Sequence, residues 1–166
     1  MKYPRLGAYG ITMVLGVFGA GPLFKSCTPP PAPAVSAAIN VSADCLALTN
    51  TARTAAGLAP LTIDSRITAA AEAHSAEQAT RKKMTHTGRN GSNAGSRMTA
   101  QGYRWSTWGE NVAAGQPDCA SVVSAWMNSS GHRANILNPA FVHIGLGAVK
   151  GTNGVIYWTM NLGASR

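Results

Sequence analysis

Two rhythms of apolar and polar positions run along this chain, and they mark out its elements. Over residues 44–56, Leu46, Thr49, Asn50 and Arg53 share one face at helical spacing. Gly57 supplies a stop, and Pro60 forbids continuation. Asp64 can cap a second helix that runs to about Lys83, with Ile67, Ala70, Ala71, His74 and Gln78 inward. Alanines on that face imply close packing against a neighbour. The basic run Arg81, Lys82 and Lys83 suits a helix C-terminus, where the dipole favours cations. Residues 85–96 are rich in Gly, Asn, Ser and Thr and read as a loop. A short helix over 97–101 and a short strand over 110–114 follow. Asp118 caps a further helix whose buried stripe is Cys119, Val122, Val123 and Trp126. Ser129, Ser130 and Gly131 end it, and 132–137 fits a helical turn stopped before Pro139. The rhythm then changes to strict alternation over 142–149 and 155–162, separated by a Gly-containing turn, which predicts a hairpin. Helices first and strands last predict an α+β fold, with helices packed on an antiparallel sheet.

The start of the chain breaks from this pattern. Lys2 and Arg5 precede a stretch, 6–24, without a single charge. Gly16, Gly19, Gly21 and Pro22 interrupt it, so it is a marginal membrane span. The order of positive, apolar and small residues favours an export signal over a retained anchor. Residues 1–26 are therefore read as a signal peptide or membrane anchor. Residues 27–39 form a Pro/Ala-rich linker, with four Pro in the eleven residues from Thr28 to Ala38. Residues 40–166 are the folded domain, a length that suits one core. The expected location is secreted or attached to the cell envelope, with membrane contact only through the N-terminal segment or a lipid. The expected form is a monomer.

Charge and cysteines refine this. The chain carries 14 Lys and Arg against 6 Asp and Glu. Eleven of the basic residues and all the acids lie in the folded part. That balance favours anionic surfaces such as lipid headgroups and cell-wall polymers. No nucleic-acid motif accompanies it, so nucleic acid is not an expected partner. Export permits disulfides. Cys45 and Cys119 lie inside the domain, and pairing them is the economical choice. Cys27 is then odd. It follows the apolar stretch where a bacterial lipoprotein carries its lipidated cysteine, although Phe24, Lys25 and Ser26 are poor flanks. The other reading of Cys27 is a free thiol.

Of the four histidines, His74 sits on the Ala-rich helix face and reads as a satisfied core residue. His143 lies one position off an apolar row and reads as surface. His86 and His132 each stand where a helix meets a loop, from which a side chain can reach a cleft. Glu110 lies between Trp108 and an apolar strand, where an unpaired carboxylate is costly. An imidazole or a metal would compensate it. Two imidazoles and a carboxylate make an open Zn²⁺ donor set. The gaps of 24 and 22 residues between the three do not themselves specify one. No nucleophile stands out: Ser129 and Ser130 precede His132, but no acid follows to orient it.

These segments, taken in order, resemble the CAP superfamily of cysteine-rich secretory proteins, insect venom antigens and plant pathogenesis-related proteins. Asn50, Arg53, Gly57, Pro60 and Leu61 are similar to the first-helix pattern. Met84 and His86 are similar to the histidine after the second helix. Gly109-Glu110-Asn111 is similar to the GEN motif, and Gly131-His132-Arg133-Ala134-Asn135-Ile136-Leu137 to the bacterial signature. The likeness covers roughly residues 45–163. It implies a three-layer α-β-α sandwich with a central antiparallel sheet and a cleft lined by two His and two acids, where some members bind a divalent metal. Carried over, the cleft residues are His86, Glu110 and His132. The second acid's position holds Ser129, so the tetrad is degenerate, which weakens it for a hard cation but leaves Zn²⁺ through two imidazoles. The reading is a binding or interaction module at the cell envelope, with a lipid, a sterol or an envelope component as ligand. The alternative is a metal-assisted hydrolase of a peptide or cell-wall polymer. The missing nucleophile and second acid favour the first.

Overall fold

A computed structural model describes residues 42–166. The signal or anchor at 1–26, the linker at 27–39 and Cys27 lie outside the described residues. The elements run α1 Ser42–Ala55, β1 Thr62–Ile63, α2 Ser65–Arg81, α3 Ala94–Ala100, β2 Trp105–Ala114, α4 Cys119–Met127, α5 Ser130–Ile136, β3 His143–Lys150 and β4 Ile156–Ser165. The sheet order is β1-β3-β4-β2. β2, β3 and β4 are antiparallel, and the two-residue β1 joins β3 in parallel at the far edge. Helices cover both faces, giving an α-β-α sandwich.

Alternation along the strands sorts the layers. Trp158, Met160 and Leu162 of β4 and Ile144, Leu146 and Ala148 of β3 share the larger core with Cys45, Val122, Trp126 and Ile136 of α1, α4 and α5. The opposite face carries Gly145 and Gly147, and α2 lies directly on them. A Cβ on Gly145 would stand 2.2 Å from the Thr68 nitrogen, and one on Gly147 would stand 2.6 Å from the Ala71 carbonyl carbon. α2 therefore meets the sheet backbone to backbone, which is why its inward positions include Ala70 and Ala71. All five inward positions expected for α2 are buried.

Element ends differ from the sequence reading for local reasons. α2 stops at Arg81 because Lys82 adopts a left-handed conformation, φ 52°, and its N–H returns to the Ala79 carbonyl. α3 begins earlier than the polar composition implied. Asn93 and Ser96 form a reciprocal capping box, each side chain accepting the other's backbone N–H, at 2.8 and 3.1 Å. β2 is twice the expected length, because its first half pairs with the end of β4, from Trp105 opposite Ser165 onward. His143 is half-buried rather than free on the surface; its Nδ1 pairs with the Tyr103 hydroxyl at 2.9 Å. Asn50 grips the Leu61 backbone at both groups, 3.0 Å to its carbonyl and 2.8 Å from its N–H. That double bond closes the turn through Pro60.

Candidate functional site

The outer strand β2 carries the site, and its period of two sends neighbouring residues to opposite layers. Glu110 stands opposite Asn161 and, beyond it, Gly145, so it points toward α2 and α3. Asn111 stands opposite Met160 and points toward α4 and α5. Three consecutive residues thus do three things. Gly109 gives room to Phe141 and Asn135, whose atoms would lie 2.9 and 3.2 Å from a Cβ there. Glu110 reaches the α2–α3 loop. Asn111 donates to the His132 carbonyl at 3.1 Å and accepts from Asn135 at 2.9 Å. Asn135 also donates to the Glu110 carbonyl at 3.1 Å, and Trp126 Nε1 to that of Val112 at 3.3 Å. These side chains cover the sheet edge, which is otherwise open to pairing with another chain.

The Glu110 side chain is only 3% exposed. One carboxylate oxygen accepts from His86 Nδ1 at 2.8 Å, and the other pairs with Arg97 Nη2 at 2.5 Å. The compensation that a buried acid requires is therefore a guanidinium together with an imidazole. Sequence reading missed Arg97, whose only visible signal was a place in a short helix. His86 remains 59% exposed, with the far side of its ring outward. Among the described residues, His74 Nδ1, Arg97 Nε and both amide atoms of Asn161 are buried polar atoms with no hydrogen-bond partner. The α2 side of the sheet is thus polar around Glu110, in contrast to the apolar layer opposite.

His132 lies in the first turn of α5, held through its carbonyl by Asn111. Burial, and then the nearby His86, hold its ring below the ordinary imidazole range. Ser129 is the N-cap residue of α5, half-buried, and makes no side-chain capping bond. It precedes His132 by three residues and so lies on the same side of the helix start. His86, Asn93, Trp108, Gly109, Glu110 and Asn135 line a cavity of about 300 Å³, and His132 is not among its lining residues. Cys45 and Cys119 are joined by a disulfide, Cα to Cα 5.0 Å, linking the starts of α1 and α4. Among the described residues no group of three or more His, Cys, Asp or Glu is assembled for a metal ion. No helix among them is long and apolar enough to cross a membrane.

Residues 46–162 match the model of the cysteine-rich secretory protein family, CAP. The chain is 43% identical over 103 residues to the uncharacterized protein YkwD of Bacillus subtilis, covering 62% of this chain and 40% of that one. It is 27% identical to an extracellular protein containing an SCP domain from Bacillus anthracis, with a TM-score of 0.67, covering 74% of this chain and 39% of that one. The fold also matches an outer surface protein of Borrelia burgdorferi, with a TM-score of 0.71 at 22% identity, over 79% of this chain and 99% of that one. The chain thus spans less than half the length of the two Bacillus proteins.

Proposed function

The chain belongs to the cysteine-rich secretory protein family, and from that premise we propose that it is an extracytoplasmic binding module whose ligand surface is the cleft of His86, Glu110 and His132. The observation that carries this reading is the state of Glu110. Its carboxylate is buried and already paired on both oxygens, by Arg97 and by His86. A general base needs a carboxylate free to take a proton in the substrate complex. Among the described residues, no hydroxyl or thiol hydrogen-bonds to the ring of His86 or His132, so an activated nucleophile has no support. What remains is a half-open cavity with His86, Asn93, Glu110 and Asn135 in its lining and Trp108 as one wall. That combination suits recognition of an envelope component better than turnover. The Bacillus anthracis protein described as extracellular supports the location.

The donor chemistry of the two imidazoles suits one divalent cation in particular. His86 and His132 would hold Zn²⁺, and Glu110 would orient His86 from behind through Nδ1, as carboxylates behind metal-bound histidines do. Such an ion would supply a Lewis-acidic anchor for an oxygen-bearing ligand. With two imidazoles and no third protein ligand the site is weak. Ser129→Glu, by adding a charged oxygen beside His132, should tighten it in calorimetric titration with Zn²⁺. Equal or weaker binding by the folded variant would remove Ser129 from the cleft. Co-sedimentation with isolated peptidoglycan and with anionic lipid vesicles tests the binding reading, and loss of capture in His86→Ala is expected. Hydrolysis of peptide or peptidoglycan by the wild type, abolished in His132→Ala, would overturn it in favour of a hydrolase.

A further inference from the structure

The turn that presents His86 is held at successive points by side chains of α2 and α3. Gln78 Oε1 accepts the Thr85 N–H at 3.1 Å, and His74 Nε2 donates to the Thr85 carbonyl at 2.7 Å. Thr85 Oγ1 accepts the Thr87 N–H at 3.1 Å. Arg97 Nη1 donates to the His86 carbonyl at 3.1 Å and to the Ser92 carbonyl at 2.9 Å. Its Nη2 pairs with Glu110, which in turn receives His86 Nδ1. One guanidinium therefore ties together the start of the loop, its far end and the carboxylate behind the histidine. An imidazole nitrogen that meets a carboxylate carries a proton there, so in the neutral ring the outward Nε2 is the bare nitrogen.

We propose that Arg97 is a positioning residue of the cleft, locking the His86 turn onto Glu110 so that His86 is presented as a single tautomer with Nε2 free toward a ligand. The assignment rests on the reading of the cleft as a ligand surface. Three acceptors in different directions suit a planar five-donor fork and not the single ammonium of lysine. Both partners of the Arg97–Glu110 pair are at least nine-tenths buried, so water cannot replace the guanidinium cheaply. Arg97 touches no ligand in this scheme; it acts through Glu110 and through the His86 backbone.

The test uses ¹⁵N ring spectra and backbone amide order measured on the full chain, with Zn²⁺ alone as the binding probe. In the wild type His86 should show Nδ1 protonated and Nε2 bare. Mixed tautomers there would overturn the proposal outright. In Arg97→Gln the single-tautomer pattern should be lost, and amide order over residues 84–89 should fall. Zn²⁺ affinity should drop about 10- to 100-fold, the range for losing a group that orients a metal ligand. Arg97→Lys keeps the charge beside Glu110 but releases the carbonyls, so the turn should loosen while part of the Zn²⁺ affinity returns. Should Arg97→Gln fail to fold, Arg97→Lys decides. A folded variant that keeps one tautomer and an ordered turn would make Arg97 a structural residue only. Failure of the wild type to bind Zn²⁺ would count against the metal-linked cleft, while the ring and amide readouts would still decide the role of Arg97.

Discussion

Arg53 Nη1 donates to the carbonyl of Ile136 at 2.7 Å, joining two residues 83 positions apart in sequence. The side chain is buried; the same Nη1 also donates to the Asn138 carbonyl at 2.9 Å, Nε donates to that of Ala59 at 2.9 Å, and Nη2 to that of Phe141 at 3.2 Å. Helix ends leave carbonyls without partners, and here a buried cation from α1 satisfies those at the end of α5. It thereby fixes the helix whose first turn holds His132.

Replacing Arg53 by Leu should therefore cost roughly 3 kcal/mol or more, because several buried acceptors lose their donor at about 1–3 kcal/mol each. Arg53→Lys should recover only part, since one ammonium cannot reach all of these carbonyls. Urea unfolding of both variants measures this. A loss below about 1 kcal/mol would mean that other donors replace the guanidinium.

The Cys45–Cys119 bridge closes a loop with a sequence separation of 74. Its removal in a Cys45→Ala/Cys119→Ala variant should lower stability by about 4 kcal/mol on the chain-entropy estimate. Mass mapping without reduction should recover the two peptides linked. Free thiols at both positions in protein recovered from an oxidising compartment would refute the pairing.

Gly147→Ala places a methyl group 2.6 Å from the backbone of α2 at Ala71, where neither the strand nor the helix can yield locally. The expected cost is about 1–3 kcal/mol, by displacement of α2 from the sheet. Gly131→Ala, whose Cβ meets nothing within 4 Å, is the control and should change little. Thermal melts of the two variants, compared with the wild type, check the contrast.

Stability should fall as pH drops from about 7 toward 5. Burial, and then the nearby Arg97 charge, push His74 below the ordinary imidazole range, while Glu110, the Thr85 carbonyl and Glu77 pull the other way. The native state therefore keeps His74 neutral at a pH where the unfolded chain has taken up the proton. A group with a lowered native value stabilises fully above its unfolded value, and that contribution is lost as pH falls through the native one. His132, lowered by burial, adds in the same direction. His74→Gln keeps a donor toward Thr85 without a titrating ring, so its melting temperature should vary less across this window. An unchanged slope would assign the dependence elsewhere.

Local pattern carried much of this molecule. The faces of α1, α2 and α4, the β3–β4 hairpin, the Asp64 and Asp118 caps and the cysteine pairing were all readable from the sequence. Helix period, strand period and capping depend on spacings of two to four residues, which a sequence displays directly. The order of short motifs then pointed to the family, and with it to His86, Glu110 and His132 as cleft residues. The full length of β2 was not readable, because its first half, with Trp, Ser, Thr and Gly in no strict alternation, becomes a strand only when the end of β4 lies beside it. The close approach of α2 to Gly145 and Gly147 was also hidden, since a glycine in a strand does not announce which helix will rest on it. Arg97 was the largest gap. Its role depends on Glu110, His86 and Ser92 arriving at one guanidinium from a strand and from both ends of a loop. The sequence by itself determined the elements and named an acid that needed compensation. Only the tertiary structure decided that a buried arginine supplies it, because a burial cost can be read at one position, whereas its partner is chosen by the packing of layers distant in sequence.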